Sequence, residues 1–138
     1  MDGTLVDSTP VVERIWRAWA EQHGIDAVTV LSVIHGRQGH ASMAELLPER
    51  PHEENLAENA LMLEAETADV EGVVEIAGAA RLLAAIADVP HALVTSANLP
   101  LATARMTAAG LGMPKLSVTA EDVTRSKPDP EGFLAAAV

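Results

Sequence analysis

Cysteine and tyrosine are absent from the 138-residue sequence, and its few aromatic side chains are two tryptophans and one phenylalanine. The absence of cysteine excludes a disulfide framework, a thiolate metal site and a thiol nucleophile. Because aromatic residues are so scarce, the core has to be built from Ala, Val, Leu, Ile and Met. This Ala-rich composition favours helices over an all-β design.

Basic residues are also scarce, since 9 Lys and Arg stand against 20 Asp and Glu and the formal net charge is −11. Nucleic-acid binding requires clustered positive charge, which this sequence does not contain, so we expect no nucleic-acid partner. The N-terminal residues lack a basic stretch followed by an apolar run, and no apolar run is long enough to cross a membrane. We therefore expect a cytoplasmic protein with no membrane partner. The sequence leaves its oligomeric state open.

Residues 9–70 show helical periodicity and no alternating strand pattern. Thr9 and Pro10 are typical of a helix start, and Gly24 after His23 is typical of a helix stop. Apolar residues at spacings of three and four connect the two signals. Further helices are predicted at residues 28–34, 41–47 and 53–69, the last with Leu56, Ala60, Leu63 and Thr67 on one face.

After Gly72, helices and short apolar strands alternate. The predicted order is a helix at 77–87, a strand at 91–95, a helix at 100–109 and a strand at 116–119. Such alternation is typical of a parallel sheet with helical crossovers, in which ligands bind beyond the carboxyl ends of the strands. The helical block is therefore an insert within an α/β domain.

Three short motifs follow one another along the chain. They are Asp2-Gly3-Thr4-Leu5-Val6-Asp7-Ser8, Leu93-Val94-Thr95-Ser96-Ala97-Asn98 and Ser126-Lys127-Pro128-Asp129-Pro130. In this order they resemble the haloacid dehalogenase (HAD) superfamily, and the region from Gly78 to Pro128 resembles its sugar-phosphate and glycerol-phosphate phosphatase branch. The resemblance implies a partial Rossmann-like parallel-sheet core formed by residues 1–8 and 76–138. Residues 9–75 would be its inserted all-helical C1-type cap.

The resemblance also implies an activity, the Mg²⁺-dependent hydrolysis of a small sugar or polyol phosphate through an aspartyl-phosphate. In this family one Asp attacks phosphorus, and a second, here Asp2, acts as general acid and base and ligates Mg²⁺ through its backbone carbonyl. Gly3 and Thr4 would form the turn beneath the phosphate. Thr95 would donate its hydroxyl to a phosphate oxygen, and Lys127 would balance the negative charge of the nucleophile and phosphoryl group.

Three further positions have two interpretations each. Ser96 and Asn98 either contact the phosphate or cap the helix that follows them. Arg37 comes after Gly36 at a predicted break between helices of the insert. It is either a contact to the substrate or part of an ordinary loop surface.

The sequence departs from the family pattern at both ends. In the pattern, the nucleophilic Asp would stand immediately before Met1, at the end of a strand. The fourth motif, an acidic pair that holds Mg²⁺, would come after Val138. We therefore expect a truncated or miscalled reading frame whose 138 residues are inactive without the nucleophile.

Two other functions stay open. A phosphomutase of the β-phosphoglucomutase type would resemble a pattern with a His in the first cap helix, and residues 11–16 contain none. A non-catalytic fragment or interaction module would bind a protein partner and ignore phosphate and Mg²⁺.

Overall fold

A computed structural model of the chain describes residues 1–137. Within these residues the chain forms seven α-helices, four short β-strands and one 3-10 turn. In chain order they are β1 (Val6–Asp7), α1 (Thr9–His23), α2 (Ala27–Val33), α3 (Gly39–Leu46), α4 (His52–Ala68), β2 (Val74–Glu75), α5 (Ala79–Ala85), β3 (Ala92–Val94), α6 (Leu99–Ala108), β4 (Leu116–Val118), the 3-10 turn (Ala120–Asp122) and α7 (Glu131–Ala136).

The helical block consists of α1 to α4, as the periodicity predicts. Helix α1 ends at Gly24, whose φ of +65° is the left-handed conformation that glycine adopts without a Cβ clash. Its start differs from the prediction by one residue, because Ser8 takes the cap position and Thr9 is the first helical residue. The side chain of Asp7 accepts the Thr9 backbone N–H at 3.0 Å.

Helix α4 buries a different face from the predicted one. Its buried residues are Asn55, Met62 and Glu66, whereas Leu56 is 43 % exposed. On the predicted face, Leu63 and Thr67 are half-buried, whereas Leu56 and Ala60 are exposed, so only its C-terminal half lies against the rest of the protein. Asn55 and Glu66, which are polar, are buried instead on the neighbouring face.

The predicted parallel sheet is confirmed in the part formed by β3 and β4. Ala92 pairs with Leu116 and Val94 pairs with Val118, and α6 forms the crossover between the two strands. Leu93 is buried while its two neighbours are only half buried, so one face of the strand is more deeply buried than the other. The fold is therefore a mixed α/β architecture with a small parallel sheet, in agreement with the predicted class.

Helix α7 packs closely on this sheet. A Cβ placed on Gly132 would lie 3.1 Å from Cγ1 of Val94, which is tighter than ordinary contact, so glycine permits the approach. Pro130 occupies the cap position of α7. Asp129 still accepts a hydrogen bond from the Glu131 backbone N–H at 3.0 Å.

A second, antiparallel strand pair was not predicted from the sequence. Strand β1 pairs with β2, with Val6 opposite Glu75 and Asp7 opposite Val74. The pair joins the segment that enters the helical block to the segment that leaves it. The division into a core of residues 1–8 and 76–138 and an insert of residues 9–75 stays a prediction.

Two clusters of buried apolar side chains stabilise the fold, and α1 contributes to both. The first cluster lies between residues 1–5 (the motif-one loop), β3 and α6, and the second lies within the helical block. The first contains Met1, Leu5, Val6, Val11, Val73, Ala79, Leu93, Ala97, Leu101, Ala102, Met106 and Leu111; the second contains Trp16, Trp19, Ala20, Val30, Ile34, Met43 and Met62.

Candidate active site

A cleft of about 650 Å³ lies between the helical block and the carboxyl end of β3. Asp2, Thr95 and Lys127 come from three separate parts of the chain, and all three line it. Side chains of α1, α4 and the loop before α3 form the opposite wall. The cleft therefore has one wall that carries the sequence motifs and one wall that belongs to the helical block.

The motif-one loop presents Asp2 through a tight turn. The Met1 carbonyl accepts hydrogen bonds from the backbone N–H groups of Thr4 at 3.1 Å and Leu5 at 2.8 Å. Gly3 has φ of +70°, a conformation that favours glycine, and donates its N–H to the Val6 carbonyl at 2.9 Å. The turn fixes the backbone of Asp2, whose side chain remains 34 % exposed at the edge of the cleft.

Two donors hold one oxygen of the Asp2 carboxylate. Oδ1 accepts the Ser8 hydroxyl at 2.7 Å and Nη1 of Arg105 at 3.0 Å. Arg105 is buried, and its Nη2 also donates to Oε2 of Glu66 at 2.5 Å. Burial raises the pKa of Glu66, and the charge and hydrogen bond of Arg105 oppose that rise. Asp2 and Glu66 are thus joined through one guanidinium group.

Thr95 follows directly on β3 and is buried. Its backbone N–H donates to the Val118 carbonyl at 2.9 Å, which continues the ladder of the parallel sheet by one residue. Its Oγ1 accepts the Ala97 N–H at 3.2 Å, so the hydroxyl proton is free to be donated to a group in the cleft. A rigid strand end with a free hydroxyl donor suits the binding of an oxyanion.

Lys127 reaches the same strand end from the third motif. Its Nζ donates to the Val94 carbonyl at 3.3 Å and lies 5.2 Å from the centre of the Phe133 ring. Two of the three ammonium protons remain available, because a Lys ammonium carries three donors. The charge is therefore anchored beside Thr95, with donors left for a ligand.

The other predicted site residues have different placements. Gly3, Ser96, Asn98 and Arg37 line the cleft, whereas Thr4 is exposed and lies outside its lining. The side chain of Asn98 accepts the Leu101 N–H at 3.0 Å and caps α6. A contact of Asn98 or Ser96 with a phosphate stays a prediction.

Arg37 points along the cleft rim with a side chain that is 43 % exposed and that pairs with Glu45 of α3. The pairing holds the Arg37 guanidinium on the helical-block side of the cleft. Whether this charge acts on a substrate stays a prediction.

Arg105 and Glu66 belong to the site but were not predicted from the sequence. One signal was present, because Arg105 is the single charged residue of α6 and its spacing from Leu101 and Ala102 places it on the buried face of that helix. A lone buried charge requires a partner. The sequence does not indicate that this partner lies 39 residues earlier.

The wall from the helical block is partly polar. His40 lines the cleft beside Trp16 and Asn59, and burial, followed by the charge of His52, lowers the pKa of His40. The Oδ1 atom of Asn59 lies against Gly39, where a Cβ would approach it to 2.2 Å. Glycine at position 39 therefore leaves room for the Asn59 amide on this wall.

The described residues do not by themselves assemble a metal site. In residues 1–137, no three His, Asp or Glu side chains are grouped closely enough to hold a metal ion. Asp2 is the predicted Mg²⁺ ligand, through its backbone carbonyl. Mg²⁺ requires a near-octahedral set of oxygen ligands, and one carbonyl oxygen supplies too few of them. The assignment of Asp2 as a metal ligand stays a prediction.

None of the helices in residues 1–137 combines the length and the apolar character needed to cross a membrane. The longest of them, α4, has 17 residues and carries several acidic side chains.

The sequence profile of the haloacid dehalogenase-like hydrolases matches residues 1–137. Hexitol phosphatase A of Escherichia coli (strain K12) is 41 % identical over 139 residues, covering 99 % of this chain and 64 % of the relative. 2-Deoxyglucose-6-phosphate phosphatase 2 of Saccharomyces cerevisiae is 32 % identical, with 99 % and 60 % covered. Glycerol-1-phosphate phosphohydrolase 2 of the same yeast is 31 % identical, with 97 % and 54 % covered. The chain thus spans 54 % to 64 % of the length of these three relatives.

Two solved structures share the fold. A hydrolase from Pseudomonas syringae superposes with a TM-score of 0.79 at 28 % identity, covering 99 % of this chain and 66 % of the other. A putative haloacid dehalogenase-like hydrolase from Bacteroides fragilis gives 0.77 at 22 % identity, covering 99 % and 68 %. The second likeness concerns the fold alone.

Proposed function

The chain belongs to the haloacid dehalogenase-like hydrolase family, and on this premise we propose that its cleft serves the hydrolysis of a small sugar or polyol phosphate. The observation that carries the proposal is the meeting of Asp2, Thr95 and Lys127 in one cleft. The names of the relatives support the substrate class, because hexitol phosphates, 2-deoxyglucose 6-phosphate and glycerol 1-phosphate are all small phosphorylated polyhydroxy compounds.

The phosphoryl group would bind at the end of β3. Thr95 donates its hydroxyl and Lys127 its ammonium to the phosphate oxygens, and both are held by backbone contacts before the ligand arrives. Preorganised donors of this kind stabilise the charge that develops during phosphoryl transfer. Ser96 lies on the same lining and would add a further donor.

The chemical step requires a nucleophile that would stand directly before Met1. An Asp at that position would attack phosphorus to form an acyl phosphate, and the bond to the leaving oxygen would break. Asp2 would give its proton to the departing alkoxide and would then take a proton from the water that hydrolyses the acyl phosphate. Asp2 is assigned to proton transfer in this scheme, so the first attack depends on the preceding Asp.

Mg²⁺ is the cofactor we propose, on the basis of family membership. The backbone carbonyl of Asp2 would be its ligand from this chain, and phosphate oxygens and water would supply other ligands. When bound, the ion would offset the negative charge of the phosphate.

Hydrolysis is favoured over phosphomutase activity by the residues of α1. Thr9, Val12 and Trp16 are the α1 residues that line the cleft, and none of them is the His that a phosphomutase pattern would place on this helix. Trp16 is buried.

The proposal is tested by adding to the chain what the family pattern contains outside it. An extended form, with a hydrophobic strand ending in Asp before Met1 and the acidic fourth motif after Val138, should hydrolyse sorbitol 6-phosphate and glycerol 1-phosphate. The activity should disappear when EDTA removes Mg²⁺, and the 138-residue chain should release no phosphate. Phosphate release by the 138-residue chain, or no turnover by a folded extended form, would contradict the proposal. Transfer of phosphate to a second sugar hydroxyl would indicate the phosphomutase instead.

A further inference from the structure

A single buried side chain, Arg105, links Asp2 to Glu66 through two ion pairs. Arg105 is 3 % exposed and belongs to α6, Asp2 belongs to the motif-one loop and Glu66 belongs to α4. Nη1 of Arg105 binds Asp2 at 3.0 Å, and Nη2 binds Glu66 at 2.5 Å. The three residues come from three distant parts of the chain, since 103 residues separate Asp2 from Arg105 and 39 separate Glu66 from Arg105.

This arrangement is not the one that stability alone would favour. A buried guanidinium loses its hydration, and well-packed apolar side chains commonly replace buried ion pairs without loss of stability. Here Nε of Arg105 is also buried without a hydrogen-bond partner. The guanidinium group orients its partners, because its planar fork fixes the direction of each carboxylate that it binds.

The hydrogen bonds of Asp2 are divided unequally between its two oxygens. Oδ1 accepts from both Ser8 and Arg105, whereas Oδ2 has no hydrogen-bond partner among the described residues. With Oδ1 held at two points, the carboxylate cannot rotate freely. Oδ2 is left as the oxygen that exchanges a proton with a group in the cleft.

Glu66 connects this arrangement to the helical block. It lies on α4 with its side chain 10 % exposed, on the same side of the helix as Met62 and Asn59, which also line the cleft. A shift of α4 away from α6 would break the contact with Arg105 and leave a buried carboxylate unpaired. The position of the helical block therefore bears on the position of Arg105.

We infer that Arg105 is a positioning residue that directs Oδ2 of Asp2 toward the leaving oxygen of the substrate, and that Glu66 makes this placement depend on contact with the helical block. The inference rests on the proposed function of Asp2 as general acid and base. It adds a residue outside the three motifs to the proton-transfer step. It also gives the buried ion pair a role in positioning Asp2, in addition to packing.

The test compares two leaving groups in the extended form described above. Sorbitol 6-phosphate releases an alkoxide that needs a proton, whereas p-nitrophenyl phosphate releases a stable phenolate that does not. In Arg105→Lys and Glu66→Gln, the single-turnover rate of sorbitol release should fall at least about tenfold, since positioned general acids contribute roughly 10²–10⁴-fold. The single-turnover rate of nitrophenolate release should stay within about threefold of the parent, because that step draws on Asp2 little.

Glu58→Gln is the matched control for Glu66→Gln. Glu58 is also on α4, is mostly buried and pairs with an arginine, but it lies outside the cleft lining. It should leave the ratio of the two rates unchanged. Equal losses on both substrates in the Arg105 and Glu66 variants, or no loss on either, would overturn the inference.

A second measurement does not depend on turnover. The ¹³C resonance of the Asp2 carboxyl carbon in the 138-residue chain should shift in Glu66→Gln and stay in place in Glu58→Gln. An Asp2 resonance that ignores Glu66→Gln would overturn the inference even if the extended enzyme is active. An inactive extended parent with a shifted resonance would contradict the proposed function, but it would still support the link between Asp2 and Glu66 through Arg105.

Discussion

Lys127 belongs to a scarce residue type and lies in the candidate active site. The chain has two lysines, and the other, Lys115, is exposed on the surface. The Nζ of Lys127 contacts only the Val94 carbonyl and the face of Phe133, and no carboxylate neutralises it within 4.0 Å among the described residues. A cation without a counter-ion at the end of a strand is suited to receive an anion.

Lys127→Ala in the extended form should lower kcat for sugar-phosphate hydrolysis by roughly a hundredfold or more, because charge-assisted contacts to a transferring phosphoryl group are strong. The thermal unfolding midpoint should change little, since the side chain makes one long hydrogen bond and one ring contact. Lys115→Ala is the control, which removes the same charge from the surface. A Lys127→Ala enzyme with near-normal kcat would show that the third motif is assigned wrongly.

Helix α4 illustrates at the scale of an element how polar side chains organise the helical block. Glu58 accepts hydrogen bonds from Trp19 at 3.0 Å, from His23 at 2.9 Å when that ring nitrogen carries a proton, and from Arg50. Three residues from α1 and from the loop before α4 thus meet on one carboxylate. Burial alone would raise the pKa of Glu58, but these hydrogen bonds outweigh burial and lower it to about 2.

The depressed pKa predicts how the stability of the helical block changes in acid. Because the folded value of about 2 is below the unfolded value of 4.5, the contribution of Glu58 is complete above pH 4.5 and is lost as pH falls toward 2. Urea unfolding across this pH window should therefore show a steeper loss of stability in the parent than in Glu58→Gln. Glu54→Gln, which alters an exposed partner of Arg50 on the same helix, should retain the parent slope. Equal slopes in the parent and Glu58→Gln would contradict this account.

The elements differ in how well sequence alone predicts them, and the reasons are physical. Helices α1 and α6 combine apolar spacing with a glycine stop, so both their existence and their ends are encoded locally. Strands β1 and β2 have two residues each, too few to show any alternation. The buried face of α4 depends on which neighbouring helices it meets, and a local pattern contains no such information.

The site divides in the same way. Asp2, Thr95 and Lys127 belong to short contiguous motifs, so their meeting at one strand edge could be predicted from the sequence. The contact between Arg105 and Glu66 requires α6 and α4 to pack side by side. That contact arises from tertiary structure, and only a single unexplained charge in an apolar helix pointed toward it.

At the scale of the whole molecule, Arg105 lies where the two apolar clusters approach each other. It is carried by α6, which supplies Leu101, Ala102 and Met106 to the first cluster, and it binds α4, which supplies Met62 to the second. The ion pair is therefore part of the contact between the motif-bearing region and the helical block.

Removing this buried arginine should destabilise the fold far more than removing a surface one. Arg105→Ala should lower the free energy of unfolding by about 3–5 kcal/mol, because Glu66 would remain buried without a counter-charge. Arg14→Ala breaks an ion pair with Asp69 in which the two side chains are 46 % and 34 % exposed. It should change the free energy of unfolding by about 0–1 kcal/mol. Denaturant unfolding of the two variants provides the comparison, and similar losses would mean that Arg105→Ala does not leave Glu66 as an unpaired buried charge.

The pairing of β1 with β2 has a topological consequence. Since Val6 faces Glu75 and Asp7 faces Val74, the polypeptide departs and returns at adjacent points, much like the two ends of a hairpin. The intervening stretch behaves as a closed loop whose closure entropy rises slowly with length, by about 0.6 kcal/mol for each doubling. An exchange of this stretch for one of another size would leave the backbone path beneath the motifs nearly unchanged. The architecture thus holds the backbone of the motifs apart from that of the intervening stretch, whose side chains, Glu66 among them, still reach the cleft.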